Sequence, residues 1–192
     1  MEKLMTLEEV RARIDVIDEK IHELIMERLA CSLDAAKVKQ ASGSLVIYRP
    51  DRESQILDRL GSDVPEDVRT EYLAVVRKIM ETSRMYQYGL LYDWNEGLFE
   101  ERFGDIEIPD GASRIRFCLT RPNRPNAMSQ ILSMIGDYGC NMESLEFVSE
   151  DKDAGTVTFV LMILGDLHET HMKKLMFQLS MESEDFRILR VE

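Results

Sequence analysis

The sequence of 192 residues has room for one large domain or two small ones, and its 44% apolar and 31% charged content is typical of a globular protein. Its net charge of −12 disfavours nucleic-acid binding, because a surface for DNA or RNA needs an excess of basic side chains. No apolar run approaches about 18 residues, and the charged N-terminus lacks the apolar core of a signal peptide. Three widely spaced cysteines indicate neither a disulfide framework nor a zinc site. We expect a cytoplasmic protein without metal or other cofactor that binds neither nucleic acid nor membrane.

A long amphipathic helix is predicted at the start of the chain. Apolar residues recur three and four positions apart over residues 7–24, and the segment Thr6–Glu9 has the pattern of a capping box. No Gly or Pro occurs before Gly43, so this helix can exceed 30 residues, or about 50 Å. Two shorter helices, predicted at 50–60 and 66–90, cannot cover so long an apolar face. A second chain has to cover the remainder, which predicts a homodimer.

The segment 91–111 separates two modules of different character. Within residues 91–110, seven acidic residues stand against one basic residue, and Gly and Pro appear where the helical periodicity ends. The apolar residues of this segment argue against a free linker. We predict a helical domain at 1–90, an acidic connecting segment at 91–111 and a second domain at 112–192.

The second module has the element order βαββαβ, which is the order of a ferredoxin-like fold. Four segments alternate like strands and two have the apolar period of a helix. The predicted strands are 114–120, 143–149, 156–164 and 186–191, and the predicted helices are 125–138 and 168–181. The predicted fold class is therefore multi-domain, with an all-α bundle followed by an α+β sheet domain.

Basic side chains stand in the first module where the apolar pattern predicts hydrophobic residues. Arg28 continues the apolar face of the first helix, and Lys39 lies about three turns later in nearly the same direction. Arg11 lies nearly five turns before Arg28, so it reaches the same cavity only from an antiparallel partner chain. Further polar candidates on the next two helices are Arg52, Glu53, Ser83 and Gln87. Each basic residue taken singly also fits a structural role, because Arg and Lys stems often lie along apolar faces.

A set of short motifs runs through these residues: an Arg before I-D-x-I-D, then E-R, K-x-K, P-x-R-E and S-x-x-x-Q. With these motifs, residues 5–90 resemble the all-helical class of chorismate mutases. The resemblance implies an intertwined dimer whose site takes residues from both chains. The matching substrate positions are Arg28, Lys39, Arg49, Arg52, Glu53, Ser83 and Gln87 of one chain and Arg11 of the other. Arg49 stands where some members have Asp.

The reaction that the resemblance implies is the Claisen rearrangement of chorismate to prephenate, a step of the shikimate pathway toward Phe and Tyr. This unimolecular reaction needs no nucleophile, general base or cofactor. It needs a compact substrate conformer and stabilisation of charge on the ether oxygen. By the resemblance, Arg11 and Arg28 bind the two carboxylates, Lys39 and Gln87 donate to the ether oxygen, and Glu53 accepts from the ring hydroxyl.

Two stretches of the second module carry another resemblance: residues 125–128 read P-N-A-M, and residues 146–149 read E-F-V-S. Residues 112–192 look like an ACT domain, a regulatory module of amino-acid metabolism. Its amino-acid-binding members commonly have P-G-A-L and, for Phe, E-S-R-P at these places. The matching effector positions are Asn126, Ala127, Met128, Asn141 and Glu146. Asn tolerates the left-handed backbone that Gly supplies, but the lost polar residues predict weak binding of Phe or Tyr, or none.

Both resemblances together match a bifunctional chorismate mutase–prephenate dehydratase without its dehydratase domain. The favoured interpretation is a mutase with a regulatory or dimerising ACT-like tail. An isochorismate-pyruvate lyase uses the same helical fold and a similar cationic site, and assays with both substrates separate the two enzymes. The alternative outside enzymes is a non-catalytic metabolite sensor, which would form no prephenate.

Overall fold

The computed structural model describes residues 4–192, in which four helices precede a four-stranded sheet with two further helices. The helices are α1 (Leu7–Ala41), α2 (Pro50–Gly61), α3 (Arg69–Trp94), α4 (Leu98–Phe103), α5 (Ala127–Asp137) and α6 (Thr170–Glu182). The strands are β1 (Arg114–Pro122), β2 (Asn141–Asp151), β3 (Thr156–Leu164) and β4 (Asp185–Val191). This order confirms a helical module followed by a sheet module with the order βαββαβ.

Helix α1 begins at a complete capping box. Thr6 Oγ1 accepts from the Glu9 amide, and the Glu9 carboxylate accepts from the Thr6 amide, so two otherwise unpaired donors are satisfied. The helix has 35 residues, and its buried residues are Ser32 and Ala36 in the second half. Large apolar side chains over residues 7–25 are at least 39% exposed. The single chain thus leaves the apolar face uncovered, as the homodimer prediction requires, and dimerisation stays a prediction.

The sheet is antiparallel with the strand order β2-β3-β1-β4. Its core combines strands β1 and β3 with helices α5 and α6, and it includes Phe117, Leu161, Ile131 and Leu175. Every residue of the edge strand β2 is exposed. The sheet module therefore closes its core within one chain on the helix-covered face.

The acidic connecting segment packs on the sheet module. Helix α3 continues to Trp94, beyond its predicted end at residue 90, and α4 places Phe99 and Phe103 in the core of the sheet module. Gly97, the N-cap residue just before α4, has a φ of 86°, a left-handed conformation that suits glycine. Phe99 and Phe103 are therefore core residues, whereas Trp94 is 38% exposed. The domain boundaries stay a prediction.

The two modules pack through α3 against α5 and α6. Phe177 of α6 joins Tyr88 and Leu91 of α3 in a small apolar cluster, and the rings of Phe177 and Tyr88 meet edge to face at 6.1 Å. At the rim, Lys78 of α3 forms an ion pair with Asp137 of α5. The interface is thus a continuation of both cores with charged groups at its edge.

The starts of α5 and α6 differ from the predicted positions by two residues each, and α3 begins at Arg69, three residues after its predicted start at 66. Helix α5 begins at Ala127 rather than at 125, because Asn126 has the positive φ of 68° and interrupts the helix there. Helix α6 begins at Thr170 rather than at 168, because the amide of His168 donates to the Asp166 carboxylate in a turn. None of the helices in residues 4–192 has the length and apolar character to cross a membrane.

Candidate active site

Arg28 of α1 is directed toward α3 by two serine hydroxyls. Its Nη1 donates to Ser83 Oγ at 2.8 Å and to Ser32 Oγ at 3.0 Å. Both serines are buried and hydrogen-bond each other. The guanidinium uses only Nη1 in these bonds, so its Nε and Nη2 keep their donors for a bidentate acceptor such as a carboxylate.

Lys39 faces Gln87 of α3. Lys39 Nζ donates to Gln87 Oε1 at 3.4 Å, and Gln87 Nε2 donates to the Ser83 carbonyl at 3.2 Å. An ammonium has three donors and a side-chain amide has two, so both groups keep donors for a ligand. Partial burial, together with the positive charge of Arg49, lowers the pKa of Lys39 below its usual value.

Glu53 lies in the first turn of α2, which Pro50 opens at a position where its missing N–H costs nothing. The Glu53 carboxylate accepts from Arg84 Nη1, and Arg84 Nε donates to Glu182 Oε1 at 3.0 Å. Burial by itself would lower the pKa of Arg84, but the charges of Glu182 and Glu53 outweigh that effect and raise it. Arg84 is therefore a fixed cation beside Ser83.

The remaining predicted residues of the helical module lie outside this hydrogen-bonded group. Arg49 and Arg52 are exposed at the start of α2. Arg11 is exposed on α1, about 25 Å along the helix axis from Arg28, so one chain does not bring it to the site. The structure brings together Arg28, Lys39, Ser83 and Gln87. It places Glu53 on Arg84, the residue after Ser83, and it keeps Arg11 apart.

The sequence interpretation missed three residues that hold this group in place. Ser32 follows Arg28 by four residues on the same helix face, and this spacing is a local signal that could have identified it. Arg84 and Glu182 contact each other across 98 positions of the chain. No local pattern predicts such a contact, because it depends on how the two modules pack.

The predicted effector residues at the β1–α5 turn have the backbone that the sequence suggested. Asn126 has a φ of 68° and takes the left-handed conformation ordinarily supplied by Gly. Ala127 is buried and Met128 is half-buried at the start of α5. The turn therefore presents Asn126 to solvent.

The other two effector candidates lie on the edge strand β2. Asn141 pairs in register with Leu164 at one end of the sheet, whereas the β1–α5 turn follows Pro122 at the opposite end. Glu146 is exposed and pairs with Arg116 at 3.4 Å. Within one chain, the two predicted effector segments therefore do not form one pocket.

The site as a whole suits an anionic ligand with a hydroxyl group. Arg28 and Lys39 supply positive charge and Gln87 supplies a neutral donor, while Glu53 supplies an acceptor that is held by the neighbouring Arg84. In the part of the chain that the structure describes, no group of three His, Cys, Asp or Glu side chains could hold a metal ion.

Residues 10–88 match the family model described as chorismate mutase type II. A bifunctional chorismate mutase/prephenate dehydratase from Stutzerimonas stutzeri is 43% identical over 58 residues, which are 28% of this chain and 16% of that protein. A chorismate mutase from Methanocaldococcus jannaschii is 44% identical over 54 residues, which are 28% of this chain and 54% of that protein. The matched region thus spans only a small part of the bifunctional relative.

Two solved structures are more distantly similar, each with a TM-score of 0.41 over 47% of this chain. One is the quorum-quenching acylase GqqA, 22% identical and matched over 46% of its chain. The other is a prephenate dehydratase in complex with L-Phe from Arthrobacter aurescens, 21% identical and matched over 30% of its chain. A likeness of this degree carries no information about activity.

Proposed function

We propose that this protein catalyses the rearrangement of chorismate to prephenate, because residues 10–88 match the family model described as chorismate mutase type II. The observation that carries the proposal is the contact of Lys39 Nζ with Gln87 Oε1, which sets an ammonium beside a side-chain amide. The remaining donors of the two groups would serve one acceptor atom. That acceptor is the ether oxygen, which gains negative charge as its bond to carbon breaks. Two donors fixed on separate helices need little reorganisation at that moment.

Positioning of the substrate falls to the other residues of the cluster. Arg28 binds one carboxylate through Nε and Nη2, while Ser32 and Ser83 hold its Nη1. Glu53 accepts from the ring hydroxyl. Holding both ends of the substrate selects the compact conformer from which the new bond forms, and this positioning lowers the barrier without any covalent step.

Arg11 completes the site from a second chain. The exposed apolar residues of α1 between 7 and 25 support a homodimer, because burying that face against a partner would stabilise both chains. An antiparallel partner α1 would bring its Arg11 toward Arg28 for the second carboxylate. Arg49 and Arg52 would then lie at the rim of the closed cavity and attract the dianionic substrate.

Residues 112–192 act as an ACT-like module in this proposal. Its antiparallel sheet, its element order and the left-handed Asn126 support that role. Phe or Tyr would bind between modules of two chains, where the β1–α5 turn of one approaches β2 of the other.

The test is to incubate the purified protein separately with chorismate and with isochorismate and to identify the products. Prephenate from chorismate, lost in Lys39→Ala but kept in Lys37→Ala, supports the proposal. Lys37 is the matched control because it lies on the same helix in an exposed ion pair with Asp34. Pyruvate release from isochorismate without prephenate formation would support a lyase, and no turnover of either substrate would support a non-catalytic sensor.

A further inference from the structure

A buried ion network runs from the sheet module to Glu53. Arg84 is 4% exposed and joins two carboxylates, Glu182 at the end of α6 and Glu53 in the first turn of α2. The Glu182 side chain is fully buried, whereas that of Glu53 is 18% exposed. The network thus begins in the interface of the two modules and ends at a carboxylate that solvent can reach.

We propose that Glu182 and Arg84 position the Glu53 carboxylate for its substrate contact, so that the sheet module supports the mutase site directly. This inference rests on the proposed function. It assigns Arg84 and Glu182 as positioning residues, since neither is placed to touch the substrate. It gives the sheet module a part in the basal reaction that needs no amino-acid effector.

The geometry of the guanidinium carries the first step of the argument. Its nitrogens lie in one rigid plane, so a bond from Nε to Glu182 fixes where Nη1 lies and hence where Glu53 is held. Glu182 is itself fixed, because its Oε1 also accepts from Gln178 Nε2 at 2.9 Å. Gln178 in turn accepts from the Tyr138 hydroxyl at 2.9 Å. The chain of contacts therefore holds Glu53 from the core of the sheet module.

The carboxylate of Glu53 has capacity for a ligand while it is held. Arg84 binds Oε1, and a carboxylate has a second oxygen that can accept further hydrogen bonds. Glu53 held in one rotamer loses less conformational freedom when a hydroxyl binds to it. A Glu53 side chain free to change rotamer would have to be ordered each time a substrate molecule binds.

A second connection holds the chain just before α2. The Tyr48 ring lies against the Arg84 guanidinium at 4.8 Å, and its hydroxyl accepts from Arg124 in the β1–α5 turn. The Tyr48 amide donates to the Tyr88 hydroxyl at 3.2 Å. The sheet module therefore fixes both Glu53 and the entry of its helix, which independently supports a positioning role.

The test is a double-mutant cycle of Arg84→Met and Glu53→Gln in the full chain, read as kcat and KM for chorismate. Arg84→Met should lower kcat/KM about tenfold or more, mainly through KM, because the hydroxyl contact exists in the bound substrate as well as in the transition state. In the Glu53→Gln background the same change should lower kcat/KM by less than about twofold. Arg84→Lys should restore part of the loss.

Lys78→Met is the matched control, because Lys78 joins the same two modules through Asp137 without contacting Glu53. Its kcat/KM should stay within about twofold of the wild-type value. If Arg84→Met fails to fold, Glu182→Gln replaces it, since this neutral variant of the same shape keeps the Gln178 contact and the main-chain carbonyl that accepts from Arg121. Glu182→Gln should show the same dependence on the Glu53 background.

The inference is overturned if Arg84→Met lowers kcat/KM equally in the wild-type and Glu53→Gln backgrounds. The same holds for Glu182→Gln where it replaces Arg84→Met. Equal losses would mean that the network only stabilises the interface. Wild-type protein without any prephenate formation would instead overturn the proposed function, and this inference with it, before a variant is compared. If the wild-type protein forms prephenate but the effects of the Arg84 and Glu53 substitutions are independent of each other, the positioning role alone is overturned.

Discussion

The helical module and the sheet module differ in how completely one chain covers their apolar residues. The sheet module buries Phe117, Leu161 and Leu175 completely. In the helical module, α1 has two buried residues and leaves its apolar face exposed over residues 7–25. The residues that we assign to chemistry lie in the module that one chain does not cover. The sheet module contacts it along α3, and we propose that a second chain covers α1.

The largest expected effect comes from removing a donor at the centre of the helical module. Lys39→Ala should lower kcat by about two to three orders of magnitude, because it removes a charged donor to the ether oxygen. Lys37→Ala, on the exposed side of the same helix, should change kcat by less than about twofold. Circular dichroism has to show intact helices in both variants, and a folded Lys39→Ala with wild-type kcat contradicts the assigned role.

The shared apolar cluster tests how strongly the modules depend on each other. Phe177→Ala should lower the free energy of unfolding by about 3–5 kcal/mol, because it empties a buried aromatic position between α3 and α6. Phe147→Ala is the matched control on the exposed edge strand, where Phe147 is 59% exposed, and should cost much less. Both values come from urea unfolding. Equal costs for the two variants would mean that the modules are energetically independent.

The pH dependence of kcat/KM tests the environment of Lys39. Because burial and Arg49 lower the pKa of Lys39, its ammonium loses a proton, and kcat/KM falls, at a pH below the usual lysine range. Arg49→Gln removes a neighbouring positive charge and so raises the pKa of Lys39. The alkaline limb of the profile, the fall of kcat/KM at high pH, should therefore move to a higher pH by less than about one unit. Arg59→Gln, at the far end of α2, should leave the limb in place. A downward shift in Arg49→Gln contradicts the assignment.

The smallest expected effect is binding of an aromatic amino acid to the sheet module. Asn126 places a side chain at the β1–α5 turn, and Asn141 lies at the opposite end of the sheet within one chain. Phe or Tyr should therefore raise the melting temperature only at millimolar concentration. Low-micromolar binding of either amino acid by isothermal titration would show that the dimer builds a competent effector site.

The local features of this fold could be predicted from the sequence, and the contacts between modules could not. The capping box at Thr6 and the period of α1 predict that helix closely, because both signals lie within a few residues. Arg28 and Lys39 stand out because they interrupt a regular apolar pattern. Arg84 gives no such signal, since its partner Glu182 comes from another module and becomes a neighbour only after docking.

Subunit complementation tests the central claim most directly, because it requires mutase activity, a dimer and a site shared between chains. Arg11→Ala and Lys39→Ala proteins should each be nearly inactive alone. After mixing and confirmed subunit exchange, the heterodimer has one site with both Lys39 and the partner's Arg11 intact, so about a quarter of wild-type activity should return. No recovery after confirmed exchange would contradict the account, because Arg11 would then not act across the dimer.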